Sequence, residues 1–163
     1  PEPDAQEFHE LVELARISAE HNEPVAQFAA KIGSKNGISG YSYHTVPCVL
    51  QVLFKHRNDF ETGLQEIIRA GGDTDTAGAI FGGIVGARAG KQVIPDAWLD
   101  GIIEWPRTVS WIERLGVMLA GALVEPTGKV DVPVCSVPGL LLRNLVFLVT
   151  VLAHGLRRLL PPY

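Results

Sequence analysis

Apolar residues recur at helical spacing along most of the chain, and no stretch alternates as a half-buried strand does. Phe8, Leu11, Val12, Ala15 and Ala19 predict an amphipathic helix from Ala5 to about His21, with His9 and His21 on its wet face. Asn22 is placed to cap a short second helix, with Pro24 in its first turn and Gly33 beyond its end. Lys31 to Gly40, rich in Gly, Ser, Lys and Asn, reads as a surface loop. Thr45 then serves as N-cap and Pro47 as an early-helix proline, ahead of an apolar, buried helix carrying Val49, Leu50, Val52, Leu53 and Phe54. Asn58 or Asp59 caps the next helix, whose Phe60, Leu64, Ile67 and Ile68 share one face and which Gly71 ends. Beyond Gly90, Trp98, Leu99, Ile102 and Ile103 predict a helix with Pro95 near its start and Pro106 as its stop. Thr108 or Ser110 begins another helix through Trp111, Leu115 and Leu119. The fold class expected is therefore all-α, an orthogonal multi-helix array.

The tail changes character. Val124 to Pro138 carries Pro126, Pro133 and Pro138 and reads as an extended linker, so the expected organisation is a helical domain over 1–123, a linker over 124–138 and a final helix and tail over 139–163. Gly139 to Leu160 is strongly apolar, but Arg143, Asn144 and His154 interrupt it and Arg157-Arg158 end it. A membrane span needs about 20 apolar residues. The expectation is a docked core or interface helix, and no membrane crossing.

Composition narrows the class further. Apolar residues make up 47% and charged residues 20%, which excludes a disordered chain. A net charge of −4 offers none of the basic excess that nucleic-acid binders carry. Cys48 and Cys135 are too few and too far apart for a disulfide framework, which fits a reducing, cytoplasmic setting. Pro1-Glu2-Pro3-Asp4 has no signal-peptide character, and the lack of an initiator Met leads us to expect that the chain starts mid-gene.

The chemistry concentrates in Ala70-Gly71-Gly72-Asp73-Thr74-Asp75-Thr76-Ala77-Gly78. Asp73, Thr74 and Asp75 are all good N-cap types, so a helix starts within the run. Two carboxylates this close repel unless a cation lies between them, and oxygen donors without Cys suit a hard ion such as Mg²⁺, Mn²⁺ or Ca²⁺. A helix cap with a spare carboxylate accounts for the same residues. The following helix repeats Gly78, Gly82, Gly86 and Gly90, with Ala79, Gly83 and Ala87 as the adjacent row. Rows at i, i+4 share a face, so this helix is expected to be buried and central. Upstream, Tyr41-Ser42-Tyr43-His44 gathers two aromatics, a hydroxyl and an imidazole before a rigid helix. Such a loop either caps the core or binds a ligand.

Gly-Gly-Asp-Thr-Asp-Thr over 71–76 with its Gly/Ala-rich helix resembles the ADP-ribosylglycohydrolases, which include the dinitrogenase-reductase-activating glycohydrolases. The likeness runs from about Gly37 to Leu115 and takes in Gly40 to Pro47 and Ile94 to Trp98. It implies a metal-dependent hydrolase that cleaves the glycosidic bond between ADP-ribose and a protein side chain or small acceptor. It assigns Asp73, Asp75 and Thr76 as ligands of a two-metal site, usually Mg²⁺ with Mn²⁺ as an alternative. Tyr41, Ser42, Tyr43 and His44 would line the nucleotide pocket, and Gly71 and Gly72 would give backbone access. The family's Gly-Asp-Ala segment and Thr-Asp-Asp motif are not found here, nor the catalytic carboxylate that accompanies them. The chain is thus expected to be the C-terminal part of such a domain, inactive without the N-terminal half. Non-enzymatic readings stay open: a crystallin-like member of the fold, or a divalent-ion or nucleotide-binding module.

Overall fold

A computed structural model describes residues 5–124 and 133–159, and among these residues the chain is all-α. Eight helices follow in order: α1 Ala5–Glu20, α2 Val25–Lys31, α3 Ser42–Lys55, α4 Phe60–Ala70, α5 Thr74–Ala89, α6 Asp96–Asp100, α7 Val109–Val124 and α8 Val137–Leu159, with a 3-10 turn at Lys91–Val93. The chain divides into two compact units, Pro1–Pro95 and Asp96–Tyr163. That division falls inside the segment expected to be one domain. Of the expected linker, 125–132 lie outside the described residues, and α8 already begins at Val137.

In the first unit α3 is the hub, packed against α1, α2, α4 and α5. Thr45, Pro47, Cys48, Val49, Gln51 and Val52 are all buried along it. α1 contributes Ala15 and Ser18, α2 Val25, Phe28 and Ala29, α4 Phe60 and Ile67. Phe60 and Phe81 stack with centroids 5.8 Å apart, joining α4 to α5. Asp59, one of the two expected caps, accepts from the Thr62 amide at 3.0 Å.

A polar clamp crosses this core. Glu66 on α4 accepts from Lys55 Nζ at 2.8 Å and from the Val25 amide at 2.9 Å, and its other oxygen lies 2.6 Å from His56 Nε2. Burial pushes the Glu66 carboxyl up, but the bonds from Lys55, His56 and Val25 outweigh it and hold the group below its ordinary 4.5. One carboxylate thereby ties the start of α2 and the end of α3 to α4.

Four expectations are corrected. α3 starts at Ser42, so Thr45 lies inside the helix, where its hydroxyl donates to the Ser39 and Tyr41 carbonyls. Glycine and alanine give α5 little area to bury: only Ala77, Phe81 and Val85 are covered, while Ala79, Gly83, Ile84 and Ala87 are exposed. The centre therefore belongs to α3. The helix after Pro95 lasts only to Asp100, and Ile102 and Ile103 lie exposed beyond it.

The fourth correction concerns the tail. In the second unit Gly139 is the one buried position among the described residues, and no two helices there form an extended interface. Among the described residues α8 is therefore not a docked core helix within this unit, because its side chains are exposed along most of its length. Arg143 donates to Glu104 at 2.9 Å, and a Cβ on Gly139 would touch the Trp105 ring at 3.5 Å.

Candidate functional site

The segment before α3 and the turn before α5 meet backbone to backbone. The Ile38 amide donates to the Gly71 carbonyl at 2.9 Å, and the Asp73 amide donates to the Ile38 carbonyl at 2.6 Å, around an isolated parallel bridge between Ile38 and Gly72. This approach depends on two glycines. A Cβ on Gly37 (φ +95°) would sit 2.4 Å from the Gly71 carbonyl, and one on Gly72 (φ +81°) would sit 2.2 Å from the Ile38 oxygen. Ile38 itself is fully buried and pins the segment. The 31–40 stretch, expected as a surface loop, is therefore partly interior.

The pairing sets the acidic residues beside the aromatic ones. The Asp73 carboxylate lies against Gly40, where a Cβ would come within 2.8 Å of Oδ2. Asp73 is the residue before α5, yet its side chain does not cap the helix. The Asp73 side chain, together with the amides of Thr76 and of Asp75 itself, holds the Asp75 carboxyl below its ordinary 3.8. The Thr76 amide donates to Asp75 Oδ1 at 3.0 Å. Asp75 and Thr76 are exposed, Asp73 half-buried.

Tyr41 immediately follows Gly40 and is half exposed. Its ring stacks on Tyr43 at 5.6 Å and stands edge-on to His44 at 5.2 Å, while Tyr43 meets Phe8 of α1 at 5.3 Å. His44 Nδ1 lies 2.9 Å from Ser39 Oγ, which fixes the imidazole. Ser42 opens α3 and is exposed. Gly71 has open space where a Cβ would be, so its backbone can be approached, whereas the open side of Gly72 is taken by Ile38.

Two neighbouring carboxyl groups with the Thr76 hydroxyl next in sequence form a hard-oxygen donor set, the chemistry that Mg²⁺ or Mn²⁺ takes. They fit part of one cation's shell. Among the described residues no group of three or more His, Cys, Asp or Glu converges, so a two-metal site needs further donors. Reasoning from the residues alone passed over Ile38, Ser39 and Gly37. The signal was there in Ile38, an apolar residue set among the glycines and polar residues of the loop.

A protein of Archaeoglobus fulgidus, described as uncharacterized, is 35% identical over 92 residues, 56% of this chain and 28% of that protein. The chain thus spans less than two thirds of that relative's length. No solved structure matches. The model of the ADP-ribosylglycohydrolase family matches residues 2–130, which include the acidic turn, the aromatic segment and the backbone pairing between them, and the chain belongs to that family.

Proposed function

We propose that the chain forms one wall of a metal-assisted centre that hydrolyses the glycosidic bond between ADP-ribose and a protein side chain or small acceptor. The observation that supports this reading is the placement of Asp73 and Asp75 at the start of α5, with the Asp73 carboxylate against Gly40 and the Tyr41 segment held there by the Ile38 pairing. Asp73, Asp75 and Thr76 would hold the cation, Mg²⁺ by preference or Mn²⁺. When bound, it stabilises charge on the ribose oxygens as the anomeric bond breaks.

This chain's own residues position the substrate. Tyr41 offers a half-exposed ring, braced by Tyr43, on which a flat base can lie. His44, held by Ser39, and the Ser42 hydroxyl offer hydrogen bonds to phosphate or ribose. Gly71 leaves its backbone approachable. In the reaction a water oxygen bonds to the anomeric carbon, the bond to the acceptor breaks, and the acceptor leaves with a proton. We assign the general base to residues outside this chain. Asp73 and Asp75 are committed to the cation, and no further carboxylate joins them among the described residues.

The same shortage of donors favours a second reading, in which residues 1–163 bind a cation and nucleotide without turnover. One series of measurements separates the two. Titration with Mg²⁺ or Mn²⁺, repeated for Asp73→Asn and Asp75→Asn, should show affinity falling by roughly tenfold or more in each variant. Release of ADP-ribose from an arginine- or serine-linked ADP-ribosylated peptide then tests turnover, by the chain alone and with its upstream segment. Equal metal affinity in all three proteins overturns the metal assignment. Rapid turnover by the chain alone overturns the placement of the general base.

A further inference from the structure

Ser39 lies half-buried in the turn that joins the Ile38 pairing to α3. Its carbonyl accepts from the Thr45 hydroxyl, which also reaches the Tyr41 carbonyl at 3.1 Å. Its own hydroxyl has two neighbours. The Tyr41 amide donates to Oγ at 3.3 Å, and His44 Nδ1 lies 2.9 Å from the same atom. The imidazole beyond is held as well, with the Tyr41 ring edge-on to it at 5.2 Å. A Cβ on Gly33 would lie 3.7 Å from Nε2, so the exposed glycine leaves the space beside that nitrogen free of a side chain. Among the described residues Nε2 has no hydrogen-bond partner.

We infer that Ser39 is a positioning residue: its hydroxyl donates to His44 Nδ1, so the neutral imidazole keeps its proton on Nε2 and offers it to an acceptor oxygen of the bound nucleotide. The capacity of the hydroxyl decides the direction. A serine hydroxyl has one proton to give and two lone pairs. One lone pair takes the Tyr41 amide, and among the described residues Nδ1 is the acceptor within reach of the proton. With Nδ1 donating instead, the Ser39 proton would have no protein partner in a half-buried turn. The partner of one ring nitrogen sets what the other carries. Nε2–H can then donate to a phosphate or ribose oxygen but cannot accept a proton, in keeping with a general base outside this chain. The role toward the nucleotide rests on the proposed function, whereas the tautomer rests on Ser39 alone.

Two measurements on residues 1–163 test these parts separately. Two-bond ¹H–¹⁵N correlation spectra of the ¹⁵N-histidine-labelled chain, at a pH where the ring is neutral, tell the protonated nitrogen from the bare one. The signals that vanish in His44→Gln belong to His44. Wild type should carry the proton on Nε2, Ser39→Ala should show both tautomers, and Ser39→Thr, which restores the hydroxyl, should return the wild-type pattern. Calorimetric titration with ADP-ribose in the presence of Mg²⁺ should show affinity falling roughly tenfold in Ser39→Ala and recovering in Ser39→Thr. A wild-type proton on Nδ1 would overturn the inference, and that reading does not depend on whether any variant folds. The same tautomer in Ser39→Ala as in wild type would overturn it too. Unchanged ADP-ribose affinity in Ser39→Ala, with the tautomer lost, would remove His44 from the nucleotide. If wild type bound no ADP-ribose while Ser39 still set the tautomer, the proposed function would fail and the Ser39 hydrogen bond would stand.

Discussion

Gly72→Ala should cost far more stability than Gly71→Ala, although the two glycines are adjacent and both have positive φ. At Gly71 (φ +73°, ψ −175°) a Cβ meets nothing within 4 Å, so the cost is backbone strain alone, about 1–3 kcal/mol. At Gly72 a Cβ would lie 2.2 Å from the Ile38 oxygen, 2.7 Å from its nitrogen and 2.9 Å from its carbonyl carbon. These are backbone atoms of a residue whose side chain is fully buried, so Ile38 cannot swing away. Relief requires parting the segments and losing the Ile38–Gly71 and Asp73–Ile38 bonds, each worth about 1 kcal/mol net. With strain of the same size as at Gly71, Gly72→Ala should cost about 3–5 kcal/mol. An extra 2 kcal/mol at Gly72 corresponds to roughly 8–16 °C in Tm for a unit of this size. Thermal unfolding followed by circular dichroism measures it, with Gly71→Ala as the control. Equal melting temperatures for the two variants would refute the reasoning, since the Ile38 pairing would then not hold the turn.

The acid limb of stability should depend on Glu66. Its folded pKa is depressed, so its contribution is present above the ordinary 4.5 and is lost as pH falls through the lower folded value. Glu66→Gln should therefore lower stability at neutral pH by about 1–3 kcal/mol and flatten the decline below about pH 5; denaturant melts across pH 3–8 check it. Gly83→Ala meets open space on the exposed side of α5 and should stabilise by up to about 1 kcal/mol, raising Tm; a fall in Tm would show that this face is covered. Burial pushes the Cys48 thiol up to about 12, whereas Cys135 is partly exposed. A thiol reagent at pH 8 should therefore modify Cys135 quickly and Cys48 only on unfolding, which mass spectrometry of the labelled peptides reads directly.

Periodicity by itself determined that the chain is helical, because a buried stripe at i, i+3 and i+4 has no alternative reading over these lengths. It also placed the cap at Asn58 or Asp59, which the structure gives to Asp59, and the stop at Gly71, both of which answer to local backbone chemistry. The acidic turn and its glycine pair were legible for the same reason, since N-cap residues and positive-φ positions leave their mark in a few consecutive letters. The choice of central helix was not local. The Gly/Ala rows of α5 looked like a surface for close packing, yet small residues bury little area, and the larger apolar face of α3 took the centre. Nor could spacing reveal that Ile38, thirty-four residues before Gly72, lies backbone to backbone against it. Only that tertiary pairing brings Tyr41 to His44 beside Asp73. The apolar run of α8 likewise specified a helix but not its partner, because hydrophobicity demands cover without naming it. The tertiary structure fixes Arg143 on Glu104 and leaves most of the helix's apolar side chains exposed.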